Sequence, residues 1–169
     1  MQVLDLMSSW VSHLPEDTGA IRLTGLGMNA EELAQNPRLE ERIVQDLNAR
    51  SELPFPDNSF DAAICSASIE YLVQPVAVLR ELGRVLKPGK TAIITFSDRW
   101  FPTKAIELWT ELHPFERMGL VLEYFRLAGN FSTLHSESLR GLPRPPDDKY
   151  TGQLAHSDPV FAVWGHAVK

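Results

Sequence analysis

The stretch LPFPDNSFDAAICSASIEYLVQPVAVLRELGRVLKPGKTAIIT, residues 53–95, decides the fold. Its apolar run over residues 60–67 is short, follows the turn-forming Pro56-Asp57-Asn58-Ser59, and reads as a strand buried on both faces. Pro75 suits a first helical position, and Val76, Leu79, Leu82 and Leu86 recur at helical spacing until Pro88-Gly89 stop the helix. A second apolar run follows over residues 91–97. Strand, helix and strand in that order form one unit of a parallel sheet covered by helices.

Outward from this unit the alternation continues. Upstream, residues 3–6, 21–26 and 42–47 read as three further strands. Between the second and third, Asn29 is placed to cap the first N–H groups of a helix, with Glu32 three positions on in a capping-box arrangement, and Pro37 ends it. Downstream, helical segments cover residues 104–112 and 114–128, the latter with Phe115, Met118, Leu122 and Phe125 on one face and Gly129 as C-cap. Strands over residues 132–138 and 160–167 flank the polar, Pro-rich stretch 141–158, which predicts a hairpin with a long mobile connection. The predicted fold class is α/β: a mostly parallel seven-stranded sheet with a C-terminal antiparallel hairpin.

Four short motifs give this pattern a family likeness. Leu53-Pro54-Phe55, the run Asp57 to Asp61 (DNSFD) opening a strand, Leu79-Arg80-Glu81-Leu82, and Arg84-Val85-Leu86-Lys87-Pro88-Gly89 before the next strand resemble, in order and spacing, the class I S-adenosylmethionine-dependent methyltransferases. The likeness is to the methyltransferase type 11 domain in particular. Taken on their own chemistry, Pro54 and Pro56 stiffen a loop, Phe60 is core and Lys87-Pro88-Gly89 is a turn. They mark the fold and need not touch a ligand. The resemblance implies a Rossmann-like class I methyltransferase fold with S-adenosylmethionine as cofactor. It also implies in-line methyl transfer, in which the protein mainly excludes water and aligns the acceptor.

An open parallel sheet forms its ligand crevice at the carboxyl ends of its strands. By resemblance, Asp5 takes the acidic position of the first strand-loop motif, near the methionine end of the cofactor. Asp46 takes the place of an acid that accepts from the adenine amino group, with the Leu47 backbone and Asn48 alongside. Ser66 and Ser68 end the fourth strand in the same crevice. Two departures from the family stand out. After the first strand the chain runs Asp5-Leu6-Met7-Ser8-Ser9-Trp10 without a glycine, and a serine forced to positive φ there costs about 1–2 kcal/mol. Hydroxyl hydrogen bonds from Ser8 and Ser9 are the expected compensation. The family's ribose-holding acid aligns with Gly27, leaving Asn29 as the nearby polar replacement. Acceptor contacts are expected from Tyr71 and from Asp98-Arg99-Trp100. His113, His135 and His156 are candidate general bases, none singled out, so no catalytic residue is assigned.

Composition narrows the classes further. A chain of 169 residues fits one domain. Its 22 acidic residues against 16 basic ones give a net charge of −6, which disfavours nucleic-acid partners. No apolar run approaches the roughly 18 residues of a membrane span, and residues 1–15, without Lys or Arg, resemble no export signal. Cys65 is alone, the five histidines lack metal-ligand spacing, and no G-x-S-x-G or P-loop motif occurs. The expected setting is therefore cytoplasmic, with a small-molecule or protein acceptor and no metal, nucleic acid or membrane.

Two other functions remain open on the sequence. Gly25-Leu26-Gly27-Met28-Asn29-Ala30 fits G-x-G-x-x-A between strand and helix, with Asp46 nineteen residues past Gly27, as in an NAD-dependent oxidoreductase. The absent glycines and ribose acid instead suit a degenerate, non-catalytic interaction domain. Because Val3 already lies in the first strand, residues 1–169 are expected to form one methyltransferase-like domain lacking N-terminal covering helices. The exposed apolar sheet surface would then favour self-association.

Overall fold

A computed structural model describes residues 1–168 as one sheet flanked by helices. Its strands are β1 (Gln2–Leu6), β2 (Arg22–Gly27), β3 (Glu41–Val44), β4 (Phe60–Ser66), β5 (Leu86–Ser97), β6 (Phe131–Leu139) and β7 (Val160–Ala167). The helices are α1 (Ala30–Gln35), α2 (Pro75–Val85), α3 (Glu107–Glu111) and α4 (Pro114–Ala128), with one 3-10 turn at Ile69–Tyr71. The strand order is β3-β2-β1-β4-β5-β7-β6. The first five strands are parallel to their neighbours, and β7 is antiparallel to both β5 and β6. This is the Rossmann-like class I methyltransferase arrangement, and its order reverses between β1 and β4, where a crevice opens.

Alternation along the strands divides the apolar residues between two faces. Leu4, Leu6, Leu26, Ala63, Cys65, Ala92, Ile94 and Phe96 join the main core with Val78, Leu79, Leu82 and Val85 of α2 and Val121 and Phe125 of α4. Val3 and Leu23 instead face Leu33 of α1 and Leu39 in a smaller cluster. On that second face Ala62, Ile93, Ala162 and Trp164 line an open groove of about 670 Å³.

Arg84 explains why the motifs at Leu53-Pro54-Phe55 and Arg84-Val85-Leu86 occur together. Its guanidinium donates to the carbonyls of Leu53 and Phe55, both at 2.9 Å, to Asp57 at 2.8 Å and to both oxygens of Glu81 at 2.7 and 2.9 Å. Glu81 in turn accepts from the Leu53 N–H at 3.0 Å. Lys87 pairs with Asp61 at 2.8 Å, and Asp61 also accepts from the Gln2 N–H. The family motif is thus a polar clamp fastening the loop before β4 to the end of α2.

Several boundaries differ from the expectation, each for a local reason. Helix α2 stops at Val85 because Leu86 already pairs with Phe60; the register then shifts and resumes at Thr91 opposite Ala62. Pro88-Gly89 sits in that irregularity rather than at the helix end. The face α2 buries runs through Val78 and Val85, while Val76 is only partly covered. Strand β3 ends at Val44, three residues early, leaving Asp46 and Leu47 in the following loop. Helix α4 buries Arg117, Val121, Tyr124, Phe125 and Ala128; of the expected face Phe125 is core and Met118 and Leu122 pack partly buried against it, whereas Phe115 is 76% exposed. The first segment after β5 is helical only over α3. The connection between β6 and β7 folds around Arg144, which donates to Asp148, Asp158 and the His156 carbonyl.

Candidate functional site

A crevice of about 510 Å³ opens at the carboxyl ends of β1, β2, β3 and β4. The chain closes it differently at each strand. After β1, Met7 takes a left-handed conformation with φ +57°. The residue that adopts positive φ in place of a glycine is therefore a methionine, and the serines do not carry that strain. Ser8 then continues toward β2, its N–H donating to the Leu26 carbonyl at 2.8 Å.

Asp5 faces the same side but is 3% exposed, its Oδ2 accepting from the hydroxyls of Ser8 at 2.7 Å and Ser12 at 2.5 Å. Burial pushes its carboxyl above the usual carboxylate range, while the two hydroxyls pull the other way. The Ser9 hydroxyl donates to Glu32 at 2.6 Å. Both serine hydroxyls proposed to face a ligand thus bond within the protein. Residues 7–21 carry no helix. Asn36 holds them instead, donating to the Ser9 carbonyl and to the Ser12 hydroxyl at 2.9 and 3.0 Å.

At β2 the glycines serve packing. A Cβ on Gly27 would lie 2.2 Å from the Ser8 carbonyl oxygen, and one on Gly25 would lie 2.5 Å from Leu39 Cδ1. Neither has positive φ, and both lie inside the strand. A dinucleotide fingerprint needs its glycines in the turn that approaches a pyrophosphate, so the G-x-G-x-x-A reading and the oxidoreductase built on it fail here. Asn29 caps α1 as expected, its Oδ1 accepting from the N–H groups of Glu31 and Glu32. Its Nδ2 donates to the Glu32 carboxylate at 3.0 Å. Glu32, which the sequence offered only as a capping residue, is half-buried and lines the crevice beside Gly27.

Asp46 and Asn48 lie exposed beyond β3, with Leu47 buried between them. Asp46 Oδ1 accepts from the Asn48 N–H at 2.9 Å. The Asn48 side chain bridges outward to β4's loop, donating to the Tyr71 carbonyl and accepting from the Val73 N–H, each at 2.9 Å. It is a clip between two loops and also lines the crevice alongside Asp46 and Leu47. Ser66 and Ser68 flank Ala67, itself left-handed at φ +50°, and all three line the crevice. The Ser68 hydroxyl donates to the Ser66 carbonyl at 2.9 Å.

The side of the crevice near β5 departs most from expectation. Tyr71 lines it, its hydroxyl accepting from the Phe101 N–H at 3.1 Å. Burial pushes the Tyr71 hydroxyl up. Asp98 and Trp100 are not among the lining residues; Phe101 and Lys104 take their place. Trp100 lies instead under the Arg117 guanidinium, 3.9 Å from its ring centre. His113 caps α4, His135 stacks on Trp164, and the His156 carbonyl serves Arg144. None of the three reaches the crevice, whereas His13 does. Cys65 is fully buried in β4, where burial pushes its thiol up.

Residues 8–94 match the family described as "Methyltransferase domain". The chain belongs to that family. Over 101 residues this methyltransferase domain is 32% identical to the ubiquinone/menaquinone biosynthesis C-methyltransferase UbiE of Chromobacterium violaceum, a match covering 58% of this chain and 41% of that protein. The match thus spans less than half the length of this curated relative. Among solved structures, the domain resembles a chain of the complex of the Haloferax volcanii Trm112 methyltransferase activator with a methyltransferase. That likeness has TM-score 0.67 and 20% identity, over 99% of this chain and 83% of that one. It also resembles a SAM-dependent methyltransferase from Aquifex aeolicus, with TM-score 0.61 and 18% identity, over 99% and 82%.

The methyltransferase domain brings Asp5, Ser8, Ser9, Gly27, Asn29, Asp46, Leu47, Asn48, Ser66, Ser68 and Tyr71 to one crevice. Sequence reasoning missed Glu32, His13, Phe101 and Lys104. For Glu32 a signal existed, because a capping acid in the first turn of the helix after β2 must lie at the crevice end of the sheet. For Phe101 and Lys104 none did, since the turn after β5 has no periodicity. Among the described residues no cluster of His, Cys, Asp and Glu could hold a metal ion, and no helix is long and apolar enough to cross a membrane.

Proposed function

We propose that this chain binds S-adenosylmethionine in the crevice and transfers its methyl group to a small-molecule or protein acceptor in the cytoplasm. The observation that carries this reading is the convergence of all ten proposed cofactor residues on one crevice. Its volume lies within the usual range for small-molecule and cofactor sites, about 300–1,000 Å³. Unspent acceptors also fit the group: Asp46 Oδ2 has no partner among the described residues, and the Glu32 oxygens retain free lone pairs.

When bound, S-adenosylmethionine supplies an electrophilic methyl group with a built-in leaving group. Asp46 would accept from the adenine amino group beside the Leu47 backbone. Glu32, rather than Asn29, would hold the ribose hydroxyls, since Asn29 is committed to capping α1. Asp5 acts through Ser8 and Ser12 to fix the loop that closes the methionine end. Tyr71 and Phe101 exclude water from the acceptor side.

A specific observation favours the non-catalytic alternative: the Ser8, Ser9, Asn29 and Asn48 side chains all bond within the protein. Titration calorimetry with S-adenosylhomocysteine separates the two. Saturable binding with thermal stabilisation is the expected result, and a folded sample that neither binds nor shifts at millimolar ligand would leave the interaction domain as the better account. The single-domain reading includes self-association through the open groove beside Trp164, which a sedimentation measurement checks; a monodisperse monomer would remove it.

A further inference from the structure

The acceptor side of the crevice combines apolar banks with one unpaired cation. Phe101 is 64% exposed on one bank; Val11 and Met28, 60% and 70% exposed, stand among the residues that line the rest. Apolar side chains gathered around an open cavity mark a surface that a ligand covers. Phe101 is held firmly despite its exposure: its N–H donates to the Tyr71 hydroxyl, its carbonyl accepts from the N–H groups of Lys104 and Ala105, and the Tyr71 and Phe101 ring centres lie 6.4 Å apart.

Lys104 is the lysine of this crevice, its ammonium 5.3 Å from the Phe101 ring centre. Among the described residues it forms no ion pair. In a chain of net charge −6, a lysine left unpaired over an exposed aromatic ring is available to an anion.

We propose that Phe101 and Lys104 select a flat apolar acceptor carrying a carboxylate, the ring packing on Phe101 and the carboxylate meeting the Lys104 ammonium. This rests on the crevice being the cofactor site, because only then do these two residues lie on the acceptor's side of it. A protein acceptor would need no such pairing of one ring with one cation.

The test compares two probes that share one hydroxynaphthalene ring and differ by a carboxylate, 3-hydroxy-2-naphthoate and neutral 2-naphthol, by fluorescence titration of the protein saturated with S-adenosylhomocysteine. The naphthoate should bind about fivefold more tightly, the gain one partly exposed ion pair supplies. Lys104→Met should bring the two probes level, and Lys104→Arg should keep the preference. Phe101→Ala should weaken both probes alike. Each variant should still be saturable with S-adenosylhomocysteine and keep the parent's urea midpoint, which shows that it folds and holds the cofactor. Equal binding of the two probes, no binding of either, displacement of S-adenosylhomocysteine by the naphthoate, or a preference that survives Lys104→Met would overturn the proposal. Should the parent fail to bind S-adenosylhomocysteine while the Lys104-dependent preference persists, the cofactor assignment falls and the anion selectivity of this rim stands.

Discussion

The Arg84 clamp and the loop after β1 both tie a loop to the sheet, yet they handle charge in opposite ways. At the clamp a half-exposed guanidinium meets two carboxylates and two carbonyls, and Arg84 holds the Glu81 carboxyl below its usual range. In the loop, Asp5 is buried with two hydroxyl donors, and burial pushes its carboxyl up. The clamp is a fully partnered scaffold. The loop leaves a carboxyl incompletely compensated beside the crevice, a pattern more common where a ligand binds than where a fold is held.

The largest effect should come from breaking the clamp. Arg84→Met leaves the Leu53 and Phe55 carbonyls and two carboxylates without their shared donor. It should cost about 2–3 kcal/mol, the range for losing charged hydrogen bonds at a partly buried site, as measured by urea denaturation. A loss below 0.5 kcal/mol would mean that these motifs mark something other than a clamp. The crevice should behave in the reverse sense. Asp46→Ala and Glu32→Gln should each weaken S-adenosylhomocysteine binding by about 1–2 kcal/mol in calorimetry while shifting the urea midpoint little. Unchanged affinity in Glu32→Gln would return the ribose to Asn29 or to backbone groups.

The same contrast shows what was legible in the sequence. Residues 53–95 specify strand, helix and strand because buried parallel strands are compact apolar runs and α2 carries a helical stripe; both signals are local. The crevice residues were placed by strand ends, a backbone property, so their positions were readable. Their chemistry was not, because it depends on partners far apart in the chain. Ser9 meets Glu32 across 23 positions, Asn48 meets Tyr71 across 23, and Tyr71 meets Phe101 across 30. Likewise Asp98 and Trp100 follow β5 as expected, but Trp100 is drawn under Arg117 of α4, and the turn then presents Phe101 and Lys104.

The pH dependence of stability sharpens the comparison. The Glu81 carboxyl lies below its ordinary value of 4.5, so its pairing stabilises the fold fully above that pH and is lost as the pH falls from there through the lower folded value. Asp5 lies above its ordinary value of 3.8, so the folded state binds its proton more tightly and its contribution declines as the pH rises past 3.8. Stability of the parent relative to Glu81→Gln should therefore grow from pH 3 to pH 6, whereas relative to Asp5→Asn it should shrink. Denaturation curves for the three proteins across that range measure both slopes. A difference between the parent and Asp5→Asn that stays flat with pH would mean that Ser8 and Ser12 fully compensate Asp5.

The smallest effect concerns backbone strain at the crevice. Ala67 is left-handed at φ +50° between Ser66 and Ser68, and its exposed methyl packs little. A non-glycine residue there costs about 1–2 kcal/mol, while glycine costs about 0.5–1 kcal/mol through the freedom it gives the unfolded chain. Ala67→Gly should therefore gain about 0.5–1 kcal/mol by urea denaturation, where the same change in a helix would lose that much. Met7 has the same handedness, φ +57°, but its side chain packs against the main core. Met7→Gly gives up that contact, worth about 1 kcal/mol or more for a partly buried side chain, and should be neutral or slightly destabilising. A loss from Ala67→Gly would show that this turn is unstrained and that the left-handed residues at the ends of β1 and β4 have different origins.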